Sequence, residues 1–114
     1  MAECLFCKMV AGEIKPAVVY ETAQILAFRD IHPQAPVHVL IIPKQHIPTL
    51  NELPDAGAGL AAELLAAATA VARQEGLAED GYRLVINCRE NGGQEVYHLH
   101  AHLLGGRRLR WPPG

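Results

Sequence analysis

Hydrophobic and polar positions along the chain change period several times, and each change predicts a separate element. A short helical turn is predicted over residues 5–11, and Gly12 ends it. Runs rich in apolar and β-branched residues predict three strands, over 17–21, 24–28 and 37–42. The chain is therefore expected to begin with a small helix followed by three strands.

The middle of the chain has a helical period. Apolar residues recur at spacings of three and four positions, which gives the predicted helix one apolar stripe. The stripe consists of Leu60, Leu64, Ala67, Ala68 and Val71. Asp55 is the predicted N-cap, and Gly76 follows the predicted end near Glu75. We therefore expect one long helix.

The remaining third of the chain predicts a hairpin. A strand is expected over residues 82–88, followed by a glycine-rich turn at 91–93 and a final strand that carries histidines. Strands on both sides of one long helix predict the α+β class, with an antiparallel sheet of about five strands that helix covers on one side. The length favours a single domain over residues 1–114.

Composition and charge narrow the class of protein. A net charge of −2 and an apolar share of 50% favour a soluble globular protein over a nucleic-acid or membrane-surface binder. The short basic group Arg107, Arg108 and Arg110 is interpreted as a solvated end. The opening MAECLFCK lacks signal-peptide order, and the apolar run 60–71 is too short to span a bilayer. Three cysteines then favour free thiols or metal ligands in a reducing cytoplasm.

The segment VYHLHAHLL, residues 96–104, places three of the six histidines at alternate positions. Successive side chains of a strand point to opposite faces, so His98, His100 and His102 are predicted to share one face. The other face is predicted to be core, formed by Tyr97, Leu99, Ala101 and Leu103. The histidine face is therefore the candidate site.

Three interpretations of that face compete. A polar face on an edge strand explains a single histidine better than three. Imidazoles alternating on a strand can bind zinc, and they can also serve phosphate chemistry as nucleophile and donor. The preceding residues 91–94 offer backbone amides that can hold an anion, while Glu95, the nearby acidic group, is predicted to face away. Phosphate chemistry is therefore favoured.

His-Leu-His-Ala-His-Leu-Leu fits the histidine-triad motif His-φ-His-φ-His-φ-φ, where φ is apolar, and the chain resembles the Hint branch of the histidine-triad (HIT) superfamily. The resemblance runs nearly end to end. It rests on Phe28-Arg29-Asp30-Ile31, Pro33-Gln34-Ala35-Pro36, His38, Ile42-Pro43-Lys44, Asn87, Gly92-Gly93-Gln94, Val96-Tyr97-His98 and Trp111-Pro112-Pro113-Gly114. The HIT fold that it implies has one long helix and a short N-terminal helix.

The resemblance implies a purine nucleoside phosphoramidase, which hydrolyses the P–N bond of AMP joined to an amine. His100 would be the nucleophile and would form a covalent nucleotidyl-histidine intermediate. His102 and His38 would bind phosphate oxygens. The backbone carbonyl of His98 would orient His100.

The resemblance also implies a nucleotide-binding set. Asp30 would accept both ribose hydroxyls, although it could instead cap the turn before His32. Asn87, Gly93, Gln94 and Glu95 would line the phosphate and leaving-group side. Leu5, Phe6, Met9, Phe28 and Ile31 would form an apolar slot for the purine, although Phe6, Met9 and Phe28 could equally be core. Glu95 stands where many Hint relatives carry a serine, and it would either favour cationic amines or point to solvent.

The N-terminal cysteines raise a separate metal question. Some HIT relatives bind a structural zinc, and the matching ligands here would be Cys4, Cys7, His46 and His98. The alternative is a pair of partly buried free thiols. Cys88 is interpreted as a small core residue of a strand. No cofactor is expected to be required for catalysis.

Two other functions stay open. One is a dinucleoside polyphosphate hydrolase of the Fhit type, against which the Trp-Pro-Pro-Gly end argues. The other is a non-catalytic nucleotide-binding regulatory module. The expected partners are a purine nucleotide or nucleoside phosphoramidate and a second copy of the chain, paired through the long helix and the last strands. Nucleic acid and membrane are not expected partners, and a cytoplasmic location is expected.

Overall fold

Five antiparallel strands form one sheet in the computed structural model, which describes residues 3–114. The strands are β1 Val18–Glu21, β2 Ile25–Arg29, β3 Val37–Pro43, β4 Tyr82–Val85 and β5 Ala101–Gly105. Their order across the sheet is β1-β2-β3-β5-β4, with every neighbouring pair antiparallel. The predicted α+β class and five-stranded antiparallel sheet are confirmed.

One helix precedes the first strand, and the other helical segments connect later strands. They are α1 Leu5–Val10, a 3-10 helix Leu50–Ala56, α2 Ala58–Gln74 and α3 Arg89–Gly92. Within residues 3–114 no single helix is long and apolar enough to cross a membrane. Taken together, the 3-10 helix and α2 have the length and apolar composition of a membrane span, but the pair is bent by 119° where the two helices meet.

The sheet is buried on both faces at its centre, whereas the sequence predicted cover on one side only. One apolar cluster joins α2 to one face through residues such as Ile25, Val39 and Ile41. A second cluster lies on the opposite face beneath Phe6 of α1 and includes Phe28. Because both faces of β2 and β3 are covered, their sequences read as nearly continuous apolar runs rather than as alternating ones.

The long helix has the predicted stripe and end but a different beginning. All five stripe residues are buried, and Gly76 follows the C-cap Glu75 with a positive φ of 76°. Asp55 is not the N-cap, which corrects the prediction. Thr49 and Glu52 form a capping box that starts the 3-10 helix earlier, and the chain turns at Gly57, whose φ is 98°. Asp55 therefore lies near the end of the preceding helix.

The predicted hairpin is half right. Strands β4 and β5 are neighbours, with Tyr82 opposite Gly105, but β4 ends at Val85 and a folded connection replaces the tight turn. The side chain of Gln94 holds that connection: its Oε1 accepts the Arg89 N–H, and its Nε2 donates to the carbonyls of Pro48 and Val96. Cys88 precedes α3 and is half-buried, so its assignment to a strand was wrong.

The histidine segment keeps its alternation although only part of it is a strand. Strand β5 begins at Ala101, so His98 and His100 precede it. Leu99, Ala101 and Leu103 enter the α2 cluster, as predicted. Tyr97 is 45% exposed, so its assignment to the core was wrong. The sheet thus presents its histidines on the α1 face.

Candidate active site

A pocket of about 410 Å³ lies where the histidine face meets α1 and the connections β2–β3 and β4–β5. Four histidines line it, and three of them, His38, His100 and His102, come from the sheet and the segment leading into β5. The other lining residues are Phe6, Asp30, His32, Gln34, Leu40, Asn87, Gly93, Glu95 and Val96. The pocket therefore joins residues that are far apart in sequence around one row of imidazoles.

The pocket contains part of the expected nucleotide-binding set. Phe6, Asp30, Asn87, Gly93 and Glu95 line it. The expected residues outside the lining are Leu5, Met9, Phe28, Ile31 and Gln94. They differ in environment: Ile31 is 84% exposed and Leu5 is also exposed, whereas Phe28 and Gln94 are buried.

Two of these outlying residues support the pocket wall from behind. The Phe28 ring meets the Phe6 ring edge to face at a centroid distance of 5.5 Å, and Met9 packs against the same apolar cluster. Phe28 and Met9 thus back Phe6, in agreement with the core alternative for these two residues.

Sequence reasoning missed four lining residues, namely His32, Gln34, Leu40 and Val96. Leu40 stands two positions after His38 in β3, so strand alternation alone could have placed it on the site face. His32 and Gln34 belong to an irregular loop around Pro33, and no sequence period locates such residues.

His100 has one ring nitrogen fixed by the backbone. Its Nδ1 lies 2.8 Å from the carbonyl oxygen of His98. Because a carbonyl only accepts, the proton of the neutral His100 ring is on Nδ1, and Nε2 has the lone pair. Phe6 packs edge to face on the ring at 5.2 Å, and only 7% of His100 is exposed. The ring is therefore held with an unprotonated nitrogen available to a ligand.

His38 and His102 form a second fixed pair. The backbone N–H of Gln34 donates to Nδ1 of His38 at 3.0 Å, so the proton of the neutral His38 ring is on Nε2. This Nε2–H lies 2.9 Å from Nδ1 of His102, which must accept. The neutral His102 therefore carries its proton on Nε2 and offers an N–H donor.

Burial keeps both of these rings neutral. It lowers the pKa of His102 from 6.5 to about 4, and the neighbouring His100 and His38 act in the same direction. Burial also lowers the pKa of His38, while the Asp30 carboxylate partly opposes that shift. The neutral His102 therefore has an Nε2–H that it can offer to an anion, while the Nε2–H of His38 is already donated to His102.

Asp30 makes two contacts in the structure, and one of them is the turn cap considered for it. Its Oδ1 accepts the backbone N–H of His32 at 2.7 Å, which is the turn-capping alternative. Its Oδ2 lies 3.4 Å from Nε2 of His38 at the pocket wall. The turn therefore fixes the carboxylate beside the imidazoles.

Cys4, Cys7, His46 and His98 meet behind the pocket, with their ligand atoms all within 4.8 Å of one another. Nδ1 of His98 lies 3.4 Å from Sγ of Cys4 and 3.6 Å from Sγ of Cys7, and Nδ1 of His46 lies 3.2 Å from Sγ of Cys7. Tetrahedral zinc separates sulfur and nitrogen ligands by about 3.5 Å, given its usual bond lengths. The spacing of these four residues permits a structural zinc.

Hydrogen bonding distinguishes this Cys/His cluster from a second group in the pocket. Nε2–H of His98 donates to the Pro43 carbonyl at 2.7 Å, which leaves Nδ1 free to bind a metal. Asp30, His38 and His102 are equally close to one another. However, the Gln34 N–H keeps the proton of His38 on Nε2, where a metal would need the lone pair. The chemistry of this second set therefore does not fit a metal.

Comparison with known proteins agrees with this geometry. The HIT domain family matches residues 11–109. Purine nucleoside phosphoramidase of Escherichia coli K12 is 50% identical over 107 residues, which cover 94% of this chain and 90% of that protein. A 14 kDa zinc-binding protein of Zea mays is 52% identical over 112 residues, which cover 96% of this chain and 87% of that protein.

A solved structure matches the whole fold. The crystal structure of a HIT family hydrolase from Legionella pneumophila superposes with a TM-score of 0.95 at 59% identity, covering 98% of this chain and 100% of that one. The relatives of this chain support a HIT-type hydrolase. The chain belongs to the HIT family, and its relatives are Hint-like.

Proposed function

We propose that this protein is a purine nucleoside phosphoramidase that hydrolyses the P–N bond of AMP joined to an amine. The observation that carries the proposal is the opposite tautomers of His100 and His102, whose rings lie 5.0 Å apart. One ring presents a lone pair and the other presents an N–H. A phosphate group needs both, one for attack on phosphorus and one for its oxygens.

The reaction follows in two displacements. Nε2 of His100 attacks phosphorus, the P–N bond to the amine breaks, and the leaving nitrogen takes a proton from solvent. Water then attacks the phosphorus of the nucleotidyl-imidazole, the P–Nε2 bond breaks, and a proton returns to solvent, which releases AMP and restores His100. The His98 carbonyl accepts the Nδ1–H throughout, so it stabilises the positive charge on the ring in the intermediate.

The surrounding residues orient the nucleotide. His102 stabilises the phosphate oxygens through its Nε2–H, and His38 acts on them through its bond to Nδ1 of His102. Asp30 accepts the ribose hydroxyls. Phe6 forms the apolar wall for the purine, backed by Met9 and Phe28. Leu5 and Ile31 stay predicted contacts at its exposed edge. Asn87, Gly93 and Glu95 face the leaving amine, while Gln94 holds their connection in place.

The similarity to the E. coli phosphoramidase supports this substrate class over the two alternatives. An assay of the purified protein separates all three. AMP joined to an amine is incubated with enzyme, and AMP release is measured beside an equal sample that receives a dinucleoside polyphosphate. We expect faster cleavage of the AMP-amine. Preferred cleavage of the dinucleotide would indicate the Fhit-type activity, and AMP binding without any turnover would indicate a regulatory module.

The remaining proposals concern metal, assembly and location. We propose a structural zinc at Cys4, Cys7, His46 and His98, supported by the zinc-binding maize relative and the ligand spacing, and no cofactor in the chemical steps.

We also propose a cytoplasmic homodimer. The outward Leu65 of α2 and Tyr82 of the edge strand β4 support this pairing, because both are exposed apolar side chains.

A further inference from the structure

The chain that leaves β5 runs against the loop that carries two pocket residues. Gly105 is paired with Val37, and Gly106 follows with a φ of +91°. A Cβ on Gly106 would lie 2.8 Å from Cβ of Pro36, closer than real Cβ atoms approach one another. Only glycine therefore permits this close approach, which brings Arg107 over the loop of residues 32–36.

Arg107 contacts the backbone of that loop. Its Nη2 donates to the carbonyl oxygen of Gln34 at 2.9 Å, and its Nη1 donates to the carbonyl oxygen of Arg108 at 3.1 Å. Arg107, which was interpreted from the sequence as part of a solvated end, thus forms two hydrogen bonds, although its side chain is exposed. The guanidinium ties the C-terminal segment to the β2–β3 connection.

Gln34 is the residue whose backbone N–H sets the His38 tautomer. Its N–H and its carbonyl belong to successive peptide units joined at its Cα, so a bond to the carbonyl restricts the backbone rotation that would turn the N–H away. The loop also has an internal bond, in which Nε2 of Gln34 donates to the His32 carbonyl at 3.0 Å. The bond from Arg107 to the Gln34 carbonyl holds the loop from outside.

The orientation of this N–H determines what the pocket offers to a phosphate. If the Gln34 N–H turned away, the His38 proton could move to Nδ1, and Nε2 of His38 would become an acceptor. To keep the bond between the rings, His102 would then have to carry its own proton on Nδ1. Its Nε2 would present a lone pair, which repels a phosphate oxygen.

We propose that Arg107 is a positioning residue for phosphate binding, which acts through the Gln34 carbonyl to keep the imidazoles of His38 and His102 in their Nε2–H tautomers. The kinetic part of this proposal rests on the proposed phosphoramidase activity. The tautomers themselves are independent of turnover. They can be measured on the protein alone by ¹⁵N NMR of the ring nitrogens near neutral pH.

The test compares Arg107→Ala and Arg107→Lys with Arg108→Ala, the same truncation at the neighbouring exposed arginine. In Arg107→Ala, we expect mixed tautomers at His38 and His102 and a kcat/KM for an AMP-amine lower by about threefold to tenfold. Arg107→Lys retains one donor and should recover part of both signals. Arg108→Ala should match the wild type in both.

Two results would overturn the proposal. One is a wild-type ring spectrum in Arg107→Ala, with or without a kinetic loss, because the loss would then come from another cause. The other is an equal effect of Arg108→Ala, which would indicate a general effect of surface charge. A wild type without turnover would instead contradict the proposed activity, while the NMR comparison would still test the role of Arg107.

Discussion

One hydrogen bond joins the imidazoles of His38 and His102 across two neighbouring strands. Nε2 of His38 lies 2.9 Å from Nδ1 of His102. The Gln34 N–H at the far side of His38 sets the direction of this bond, and the Asp30 carboxylate, 3.4 Å from Nε2 of His38, favours the same proton position. A backbone amide in a loop therefore determines which nitrogen of His102 donates into the pocket.

The role of His100 predicts a separation of binding from turnover. Replacing His100 with Ala or Asn removes the attacking nitrogen but leaves His38, His102 and Asp30 in place. We expect turnover of an AMP-amine to fall by several orders of magnitude, since nucleophile and partners act as a unit. AMP affinity, measured by calorimetry, should change little. Near-wild-type cleavage by either variant would exclude His100 as the nucleophile.

The depressed pKa of His102 predicts acid sensitivity of the fold. Its pKa of about 4 in the folded protein lies below the ordinary 6.5, so between these values only the unfolded chain binds the proton. Stability should therefore fall as the pH decreases from about 6.5 to about 4, and the lowered pKa of His38 acts in the same direction. Melting temperatures measured across this window test the expectation.

A matched pair of variants assigns that pH dependence. His102→Asn removes the buried ring and should flatten the slope of melting temperature against pH. His32→Asn removes an exposed ring of the same pocket and should keep the wild-type slope. Equal slopes in His102→Asn and the wild type would show that other groups control the acid response.

Glu95 predicts a preference among leaving amines. The pocket is lined by two carboxylates, Asp30 and Glu95, and by no lysine or arginine among the described residues. A leaving amine with a second, cationic group should therefore be favoured by Glu95. We expect Glu95→Gln to lower the ratio of kcat/KM for AMP-diaminobutane over AMP-butylamine by about twofold to fivefold. The preference should weaken at high salt, because the site is open to solvent.

Glu90 provides the control for this measurement. It lies in α3 of the same connection, is exposed and does not line the pocket. Glu90→Gln removes the same charge and should leave the ratio unchanged. A ratio that responds equally to both substitutions would mean that net charge, rather than Glu95, selects the amine.

The Cys/His cluster predicts a metal-dependent stability. Protein purified without chelator should contain about one zinc per chain, because four ligands form one closed site. Cys4→Ser should lower both the zinc content by elemental analysis and the melting temperature. Cys88→Ser, at a half-buried cysteine outside the cluster, should change neither. A metal-free wild type as stable as the zinc-loaded protein would favour free thiols.

Regular periods made much of this fold predictable from sequence. The stripe from Leu60 to Val71 and the alternation around His100 each express one geometric repeat, so α2 and the site face could be predicted correctly. The misassigned positions depend on single hydrogen bonds. The capping box of Thr49 and Glu52 begins a 3-10 helix before Asp55, where the start of the long helix was expected. The glycines at 92 and 93 suggested a tight turn, but hydrogen bonds of the Gln94 side chain stabilise a longer, folded connection.

The site shows the same division. The alternation of the motif placed His100 and His102 on one face, and the resemblance to the HIT superfamily added His38. Neither gave information about Gln34, whose contribution is a backbone N–H. A peptide amide is present at every position except proline, so residue identity does not reveal where one is used. Contacts of this kind emerge only from three-dimensional structure.

His98 belongs to two sites through different atoms. Its imidazole lies in the Cys/His cluster, whereas its backbone carbonyl holds Nδ1 of His100. Natural variation can therefore change the cluster without removing the carbonyl, since every amino acid carries one. A lineage could lose its metal ligands one by one while the nucleophile keeps its orientation, provided that the replacement fills the buried space of the ring. Metal dependence and catalysis are thus free to evolve separately in this fold.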